Sequence, residues 1–132
     1  MRGRLSLVIL VAMTFLDMMA ARVASGSAVE FRPSGSSMVP LVRSRQLVRV
    51  SPVDPARVEV GDIVLARVAG TVYLHLVSAV DHSAGRLQVS NNRGRVNGWT
   101  SHARVFGICT SVDGVGRPRI DGKLKATSSP PA

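Results

Sequence analysis

Short alternations of apolar and polar residues, separated by glycine, proline and asparagine, fill the chain from residue 28 to residue 112. An alternation with a period of two is typical of half-buried β-strands, because successive side chains point to opposite faces of a sheet. The two-residue link Ala69-Gly70 between two such runs predicts a hairpin. Regularly spaced short strands with little helix predict a mainly β fold with a coiled or partly open barrel. The predicted strands cover residues 29–32, 46–53, 63–68, 71–80, 86–90 and 104–112, and residues 91–98 are expected to form a polar loop.

The segment 13–27 has the pattern of a short amphipathic helix. Thr14 is a good N-cap residue, and Asp17 stands where the second member of a capping box belongs. Gly26 is suited to end the helix. We therefore expect a short N-terminal helix that packs on the β domain. The apolar residues that would fall on one face of this helix are Phe15, Leu16, Met19 and Val23.

Residues 1–12 combine two arginines with an apolar run, which is typical of a secretory leader or a membrane anchor. The run is well below the roughly 20 apolar residues that a spanning helix needs. Continuing it would bury Asp17 and Arg22, each at a cost of about 2.5–3.5 kcal/mol at a helix centre. A second interpretation is that Met13 is the true start and that the preceding residues are an upstream extension. We expect a cytoplasmic protein, with membrane attachment or export through residues 1–20 as the alternative.

The chain has 132 residues, of which 45% are hydrophobic, and this is enough for one domain with a modest core. We assign residues 28–112 to that domain. Residues 113–132 are rich in glycine, proline, serine and charge, and we expect them to form a flexible basic tail. The net charge of +9 attracts anionic partners without specifying one. Because the chain has no basic run with interleaved aromatic residues and no zinc-finger spacing, we expect no dedicated nucleic-acid site.

Ser37 is the candidate nucleophile, because the segment 35–41 places a serine in a turn close to a proline. A serine hydroxyl needs a neighbouring base to remove its proton at neutral pH. The two lysines, Lys123 and Lys125, both lie in the polar tail. His75 lies inside an apolar run, where a buried polar group requires a reason. We therefore predict a catalytic pair of Ser37 and His75.

Three motifs follow one another along the chain, and the first and third of them contain the two residues of this pair. The first reads Gly35-x-Ser37-Met38-x-Pro40, and the second is a Gly-Asp-Ile-Val segment at residues 61–64. The third is a strand with a basic residue at its centre. In content and in order, these motifs resemble the S24/S26 serine peptidases, which include the signal peptidases and the self-cleaving repressor domains. The resemblance covers about residues 29–112.

The resemblance implies a coiled β-barrel of the signal-peptidase type and a serine endopeptidase that cleaves extended peptide segments. Most bacterial members carry a lysine base in the third motif, whereas the archaeal and endoplasmic-reticulum signal peptidases carry a histidine, and His75 occupies the matching position. Ser37 would attack the substrate carbonyl, and its backbone N–H would help to hold the oxyanion. Ser36 would be a weaker second donor, Gly35 would let the substrate backbone approach, and Met38 would pack under the turn or line the substrate groove.

A fourth motif of the signal peptidases reads Gly-Asp-Asn followed by a further aspartate, and here the chain departs from the pattern. It has Ser-Asn-Asn at residues 90–92 and then Asn97, so both acidic positions are absent. Asn97 could orient the imidazole of His75 by hydrogen bonding, as asparagine does in some cysteine proteases. Asp81, six residues beyond His75, is the other candidate for this role. We predict a Ser/His dyad and expect no metal and no cofactor.

The alternative function is a catalytically inactive module of the same ancestry, which would bind a peptide, a protein or a nucleic acid through its arginine-rich surface. Ser37 would then be a turn serine that bonds its own backbone, and His75 would be a core histidine bonded to a carbonyl group. The partner that we favour is a peptide or protein substrate laid along a strand edge by main-chain hydrogen bonds.

Overall fold

An antiparallel β-sheet is the main element of the described chain, which comprises residues 14–117 of a computed structural model. Helix α1 (Phe15–Ala24) precedes the sheet, and single 3-10 turns at Pro55–Arg57 and His102–Arg104 lie in the connections. The strands are β1 (Val29–Phe31), β2 (Val48–Pro52), β3 (Ile63–Val68), β4 (Thr71–Asp81), β5 (Arg86–Ser90), β6 (Val96–Ser101), β7 (Val105–Val112) and β8 (Val115–Gly116).

The strands lie in the order β1-β2-β7-β3-β4-β5-β6, with β8 added at the end of β7. The outermost strands β1 and β6 do not pair with each other, so the sheet is open. It nevertheless coils on itself, because the Thr100 hydroxyl on β6 donates a hydrogen bond of 2.6 Å to the Arg67 carbonyl on β3. Irregular registers interrupt several of the strand pairs, and such bulges increase local bending and twist.

The core is divided between the two faces of the sheet. Along β3 the side chains alternate, so Ile63 and Leu65 belong to one buried cluster and Val64 and Ala66 to the other. Helix α1 covers the first cluster with its own buried side chains. Strand β5 contributes to the second cluster through Leu87 and Val89. The sheet is therefore buried on both faces near its centre, where β3 and β4 lie side by side.

Helix α1 begins with the capping box that its sequence predicts. The Thr14 side chain accepts a hydrogen bond of 3.1 Å from the Asp17 backbone N–H. The Asp17 carboxylate in turn accepts one of 2.8 Å from the Thr14 backbone N–H. Met19 and Val23 face the sheet and are buried, whereas Phe15 stays more than half exposed at the first helical position. Three of the four predicted apolar residues thus face the protein, since Leu16 also packs against the core.

In coarse outline the predicted fold is confirmed, because residues 14–117 are mainly β, with an open antiparallel sheet that follows a short helix. The predicted hairpin is also present, since Ala69 and Gly70 join β3 to β4. Both residues have left-handed backbone, with φ of +48° and +87° respectively, as a two-residue turn of this kind requires.

Two predicted boundaries are wrong. The polar loop predicted over residues 91–98 is shorter, because Val96–Ser101 pairs with β5 as strand β6. Residues 115 and 116, which were predicted to belong to the tail, pair with β7 as strand β8. The Asp113 carboxylate also accepts a hydrogen bond of 2.7 Å from the Leu47 backbone N–H. In both places, pairing with a neighbouring strand outweighs a locally polar composition.

None of the helices within residues 14–117 is long and apolar enough to cross a membrane. The predicted leader and most of the predicted tail fall on residues 1–13 and 118–132, which lie outside the described residues.

Candidate active site

Ser37 lies in an irregular segment between β1 and β2 that folds back on itself. The Arg45 backbone N–H donates a hydrogen bond of 2.6 Å to the Pro33 carbonyl, which closes the base of the segment. The Ser44 hydroxyl also accepts a hydrogen bond of 3.3 Å from the Gly35 N–H. These contacts hold the serine in a defined turn at the end of a strand.

His75 lies in the middle of β4, opposite Val64 of the central strand β3. Its neighbour Leu74 belongs to the core cluster under helix α1, so the imidazole points to the other face of the sheet. Tyr73 lies on the same face as His75, two residues away, and stacks on the imidazole with ring centroids 5.0 Å apart and an interplanar angle of 24°. Strand geometry and this stacking together fix the direction of the ring.

The imidazole of His75 connects the two side chains that the sequence proposed as its partners. Its Nε2 lies 3.1 Å from the Ser37 hydroxyl oxygen. Its Nδ1 lies 2.7 Å from the side-chain oxygen of Asn97. An amide oxygen can only accept a hydrogen bond. Nδ1 therefore carries the ring proton and donates a hydrogen bond to the Asn97 oxygen. Nε2 is then unprotonated and can accept the proton of the Ser37 hydroxyl, which is the tautomer that a general base requires.

Asn97 reaches His75 because of an irregularity in β6. In the pairing of β5 with β6, Val89 lies opposite Gly98 and Ser90 lies opposite Val96, so Asn97 is an extra, unpaired residue. Such a bulge redirects a side chain out of the regular alternation. Gly98 next to it has a φ of +142°, which is accessible mainly to glycine. The contact between Asn97 and the imidazole is therefore a product of sheet pairing.

Burial lowers the pKa of His75 below its ordinary value of 6.5, and the hydrogen bond to Asn97 opposes this shift by raising it. The net effect favours the neutral imidazole. A neutral base at neutral pH can accept a proton from a serine hydroxyl, whereas an imidazolium cannot.

The backbone N–H of Ser37 donates to no other residue in the described part of the chain. It is therefore available to an oxyanion, as the resemblance implies. Ser36 is the weaker second donor that the resemblance implies. Its hydroxyl accepts a hydrogen bond of 3.3 Å from Arg93 Nη1. Gly35 has a φ of +103°, and a Cβ built on it would meet no atom within 4 Å. Glycine here thus serves the backbone conformation and leaves the space in front of the turn open.

A pocket of about 100 Å³ lies beside the Ser37 hydroxyl. Its wall includes Gly35, His75 and Tyr73. Met38 forms part of the wall and is 5% exposed, so it both packs under the turn and lines the pocket. The remaining lining residues are Leu16, Pro33, Ser34, Val42, Arg43 and Leu74.

Asn92 holds the nucleophile turn from the opposite side, a role that the sequence did not indicate. Its backbone N–H donates a hydrogen bond of 2.8 Å to the Ser37 carbonyl. Its side-chain amide donates one of 2.9 Å to the Val39 carbonyl. The two bonds enclose Met38 and tie the turn to the connection between β5 and β6. The local sequence gives no indication of this contact, because Val39 and Asn92 are 53 residues apart.

Asp81 is not brought to His75, so its proposed orienting role is corrected. It lies at the far end of β4, where its carboxylate accepts hydrogen bonds from the Ser83 hydroxyl at 2.9 Å and the Ala84 N–H at 3.2 Å. Six residues of strand place it about 20 Å along β4 from the imidazole. Its carboxylate thus stabilises the turn between β4 and β5.

Two further histidines contact each other at a distance from Ser37. His82 Nδ1 lies 3.1 Å from His102 Nε2, and His82 Nε2 lies 2.8 Å from the Val58 carbonyl oxygen. His82 is exposed and His102 is half-buried. Neither has a hydrogen bond with a serine among residues 14–117.

Cys109 is the other side chain with nucleophilic chemistry, and it is buried in the core with 1% of its surface exposed. Burial raises the pKa of its thiol to about 11, so a thiolate does not form at neutral pH. It acts as a small apolar side chain, and the chain has no other cysteine.

Comparison with protein-family models, with curated protein sequences and with solved structures finds no match to this chain. The resemblance to the signal peptidases therefore stays a prediction that depends on the sequence motifs.

Proposed function

We propose that the protein is a serine endopeptidase in which Ser37 is the nucleophile, His75 the general base and Asn97 the residue that orients the imidazole. The observation that carries the proposal is the continuous chain of hydrogen-bonding atoms from the Ser37 hydroxyl through both ring nitrogens to Asn97, at 3.1 Å and 2.7 Å. Both distances are within hydrogen-bonding range without any rearrangement.

The reaction would proceed in two halves. His75 Nε2 takes the proton of the Ser37 hydroxyl while the oxygen attacks the substrate carbonyl carbon, and the resulting oxyanion accepts a hydrogen bond from the Ser37 backbone N–H. The imidazolium then gives this proton to the leaving amine, and the C–N bond breaks to leave an acyl ester on Ser37. In the second half, His75 deprotonates a water molecule, which attacks the ester and releases the carboxylic acid, while the proton returns to Ser37.

An extended peptide is the substrate that the surroundings of Ser37 support best. The pocket of about 100 Å³ adjoins the hydroxyl. A second, more open depression of about 490 Å³ is lined by Asn92, whose N–H bonds the Ser37 carbonyl. Asn92 thus connects the nucleophile turn to a second concave surface, along which an extended substrate would continue. The open, coiled sheet with one helix supports the coiled barrel of the signal-peptidase type that the motifs imply.

Active-site labelling tests the proposal directly. A fluorophosphonate reacts with an activated serine hydroxyl, so the wild-type protein should be labelled and should cleave peptides from a library of mixed sequence. Ser37→Ala and His75→Ala should each abolish both, with losses of about 10⁴-fold or more that do not add in the double variant. Ser27→Ala is the matched control. Ser27 is an exposed serine after helix α1, and its hydroxyl forms no hydrogen bond with the His75 imidazole.

Equal labelling of the wild type and Ser37→Ala would remove the peptidase from consideration. The catalytically inactive binding module would then be the remaining interpretation of the same fold. Peptide binding that is unchanged by either substitution, in the absence of any cleavage, would support that module.

A further inference from the structure

The pocket beside Ser37 contains one charged side chain, Arg43, among its lining residues. The Arg43 guanidinium forms no hydrogen bond and no ion pair with any residue of the described segment 14–117. Its backbone is fixed, since its N–H donates a hydrogen bond of 2.7 Å to the Gln46 side chain. An unpaired guanidinium on a positioned backbone leaves its donors available to a ligand in the pocket.

A second guanidinium lies on the other side of the nucleophile turn. Arg93 Nη1 donates a hydrogen bond of 3.3 Å to the hydroxyl of Ser36, the residue before the nucleophile. Asn91 sets the position of Arg93, because its side-chain oxygen accepts bonds from the backbone N–H groups of Arg93 at 2.8 Å and Arg95 at 2.9 Å. The single contact with Ser36 leaves most of the Arg93 donors unused.

No carboxylate of the described residues balances these two charges. None of the acidic side chains within residues 14–117 lines the pocket beside Ser37 or the depression lined by Asn92. The Asp17 carboxylate forms an ion pair of 3.0 Å with Arg67. The carboxylates of Asp81 and Asp113 accept hydrogen bonds in a turn and at the end of a strand elsewhere in the protein. The positive potential around the nucleophile is therefore uncompensated where a substrate would bind.

We propose that the cleft selects peptides that carry an aspartate or glutamate within about two residues of the scissile bond. Arg43 would bind the carboxylate in the pocket beside Ser37, and Arg93 would add to the attraction from across the turn. A guanidinium presents its N–H donors as a planar fork that matches the two oxygens of a carboxylate. This inference depends on the proposed peptidase function and names its substrate class.

The expected preference is moderate, because Arg43 is exposed. Exposed ion pairs contribute little, and paired bonds to a guanidinium contribute more, so acidic peptides should be favoured by about three- to tenfold in kcat/KM. The preference should shrink in high salt, which screens exposed charges. A preference based on apolar fit would not respond in this way.

The test uses the full-length protein and a library of synthetic peptides of mixed sequence, with cleavage sites read by mass spectrometry. Wild-type protein should enrich acidic residues next to the cleavage sites. Arg43→Glu should remove this enrichment and favour lysine or arginine at the same positions, and Arg93→Gln should weaken it. Arg104→Glu is the matched control, because it makes the same charge change at an exposed residue outside both concave surfaces. It should leave the enrichment unchanged.

A second measurement separates the two proposals. Ser37→Ala protein is titrated with fluorescent peptides that differ only in one aspartate or alanine, and the dissociation constants are compared. Cleavage by the wild type without any acidic preference would overturn the substrate class while leaving the peptidase in place. Tighter binding of the acidic peptide with no cleavage by the wild type would overturn the peptidase while retaining the role of Arg43. An equal effect of Arg43→Glu and Arg104→Glu would attribute the preference to overall charge and overturn the assignment to the pocket.

Discussion

The side-chain oxygen of Asn97 lies 2.7 Å from Nδ1 of His75, on the side of the ring opposite the candidate nucleophile. A carboxylate takes this position in serine protease triads, where it fixes the tautomer and stabilises the imidazolium that forms during catalysis. An amide oxygen fixes the tautomer but carries no charge with which to stabilise the imidazolium. The site thus has the arrangement of a triad with a neutral third member, and this has consequences for its rate and its pH dependence.

Replacing Asn97 with aspartate should therefore increase activity. The carboxylate can only accept a hydrogen bond from Nδ1, so it keeps the productive tautomer and adds charge stabilisation. We expect kcat/KM for Asn97→Asp to rise by about tenfold or more. The pKa of His75 should rise as well, because a nearby negative charge favours the protonated ring. The acid limb of the pH–rate profile should then move to higher pH than in the wild type.

Gln88→Glu is the control for the Asn97 experiment. It makes the same change from amide to carboxylate on β5, where the Gln88 side-chain oxygen accepts a hydrogen bond of 3.0 Å from the Ser78 hydroxyl. We expect neither the rate nor the acid limb to change in this variant. A fall in activity for Asn97→Asp together with an unmoved acid limb would contradict the orienting role of Asn97.

The lowered pKa of His75 predicts activity in mildly acidic solution. Activity requires the neutral imidazole, so kcat/KM falls as the pH drops through the pKa of the folded protein. Because burial holds this pKa below 6.5, more than half of the plateau kcat/KM should remain at pH 6.5. Tyr73→Ala removes the ring stacked on His75 and admits water, so its acid limb should move to higher pH.

Tyr73→Phe separates the effect of the ring from that of the hydroxyl. It keeps the stacked ring, so its acid limb should coincide with that of the wild type. The measurement is kcat/KM against pH for all three proteins, with circular dichroism to verify the fold at each pH. An acid limb that moves equally in Tyr73→Phe and Tyr73→Ala would show that burial by the ring is not the cause of the lowered pKa.

Local signals in the sequence were sufficient to predict those parts of the fold that depend on near neighbours. The capping box of Thr14 and Asp17 joins residues three apart, and the Ala69-Gly70 turn joins consecutive strands. Alternation along β4 likewise determines that His75 shares a face with Tyr73 and not with Leu74. In each case the interaction lies within one turn or one strand, where backbone geometry alone determines which side chains meet.

Features that depend on strand register could not be predicted. Strand β6 contains Asn97 and Gly98, which weaken a strand pattern, and it forms because β5 supplies a partner. The bulge that directs Asn97 toward His75 is a property of that pairing and leaves no periodic signal. Asn92 does lie in the predicted polar loop, but its contacts with the nucleophile turn could not be predicted, since they arise only when the sheet coils.

The contact between helix α1 and the sheet depends on Gly107 of β7. A Cβ added there would lie 2.6 Å from Val23 Cγ1 and 2.7 Å from the Ser51 carbonyl oxygen, too close for either atom. Gly107→Ala should therefore lower the free energy of unfolding by about 1–3 kcal/mol or more. Gly116→Ala is the control, because its nearest neighbour would be 4.0 Å away. Denaturant unfolding compares the two, and equal midpoints would contradict the close packing of α1 on β7.

The nucleophile turn should depend on the side chain of Asn92 for its position. Asn92→Ala removes the hydrogen bond to the Val39 carbonyl while leaving the backbone bond to the Ser37 carbonyl in place. Stability should fall by only about 1 kcal/mol, as is typical for one hydrogen bond. Activity should fall much more, by about tenfold to a hundredfold in kcat, because small displacements of a nucleophile are costly. KM should change less than kcat, because the side-chain amide of Asn92 donates its hydrogen bond to the Val39 carbonyl and not to a substrate.

Asp54→Ala distinguishes this positioning effect from a general loss of stability. Asp54 also makes one hydrogen bond from its side chain to the backbone, at 3.1 Å from the Ala56 N–H, in a connection outside both concave surfaces. We expect a comparable or smaller decrease in stability and an unchanged kcat for this variant. If Asn92→Ala lowered kcat no more than Asp54→Ala did, the turn would hold Ser37 without help from the Asn92 side chain. A loss confined to KM would likewise contradict positioning, because it would indicate that Asn92 contacts the substrate.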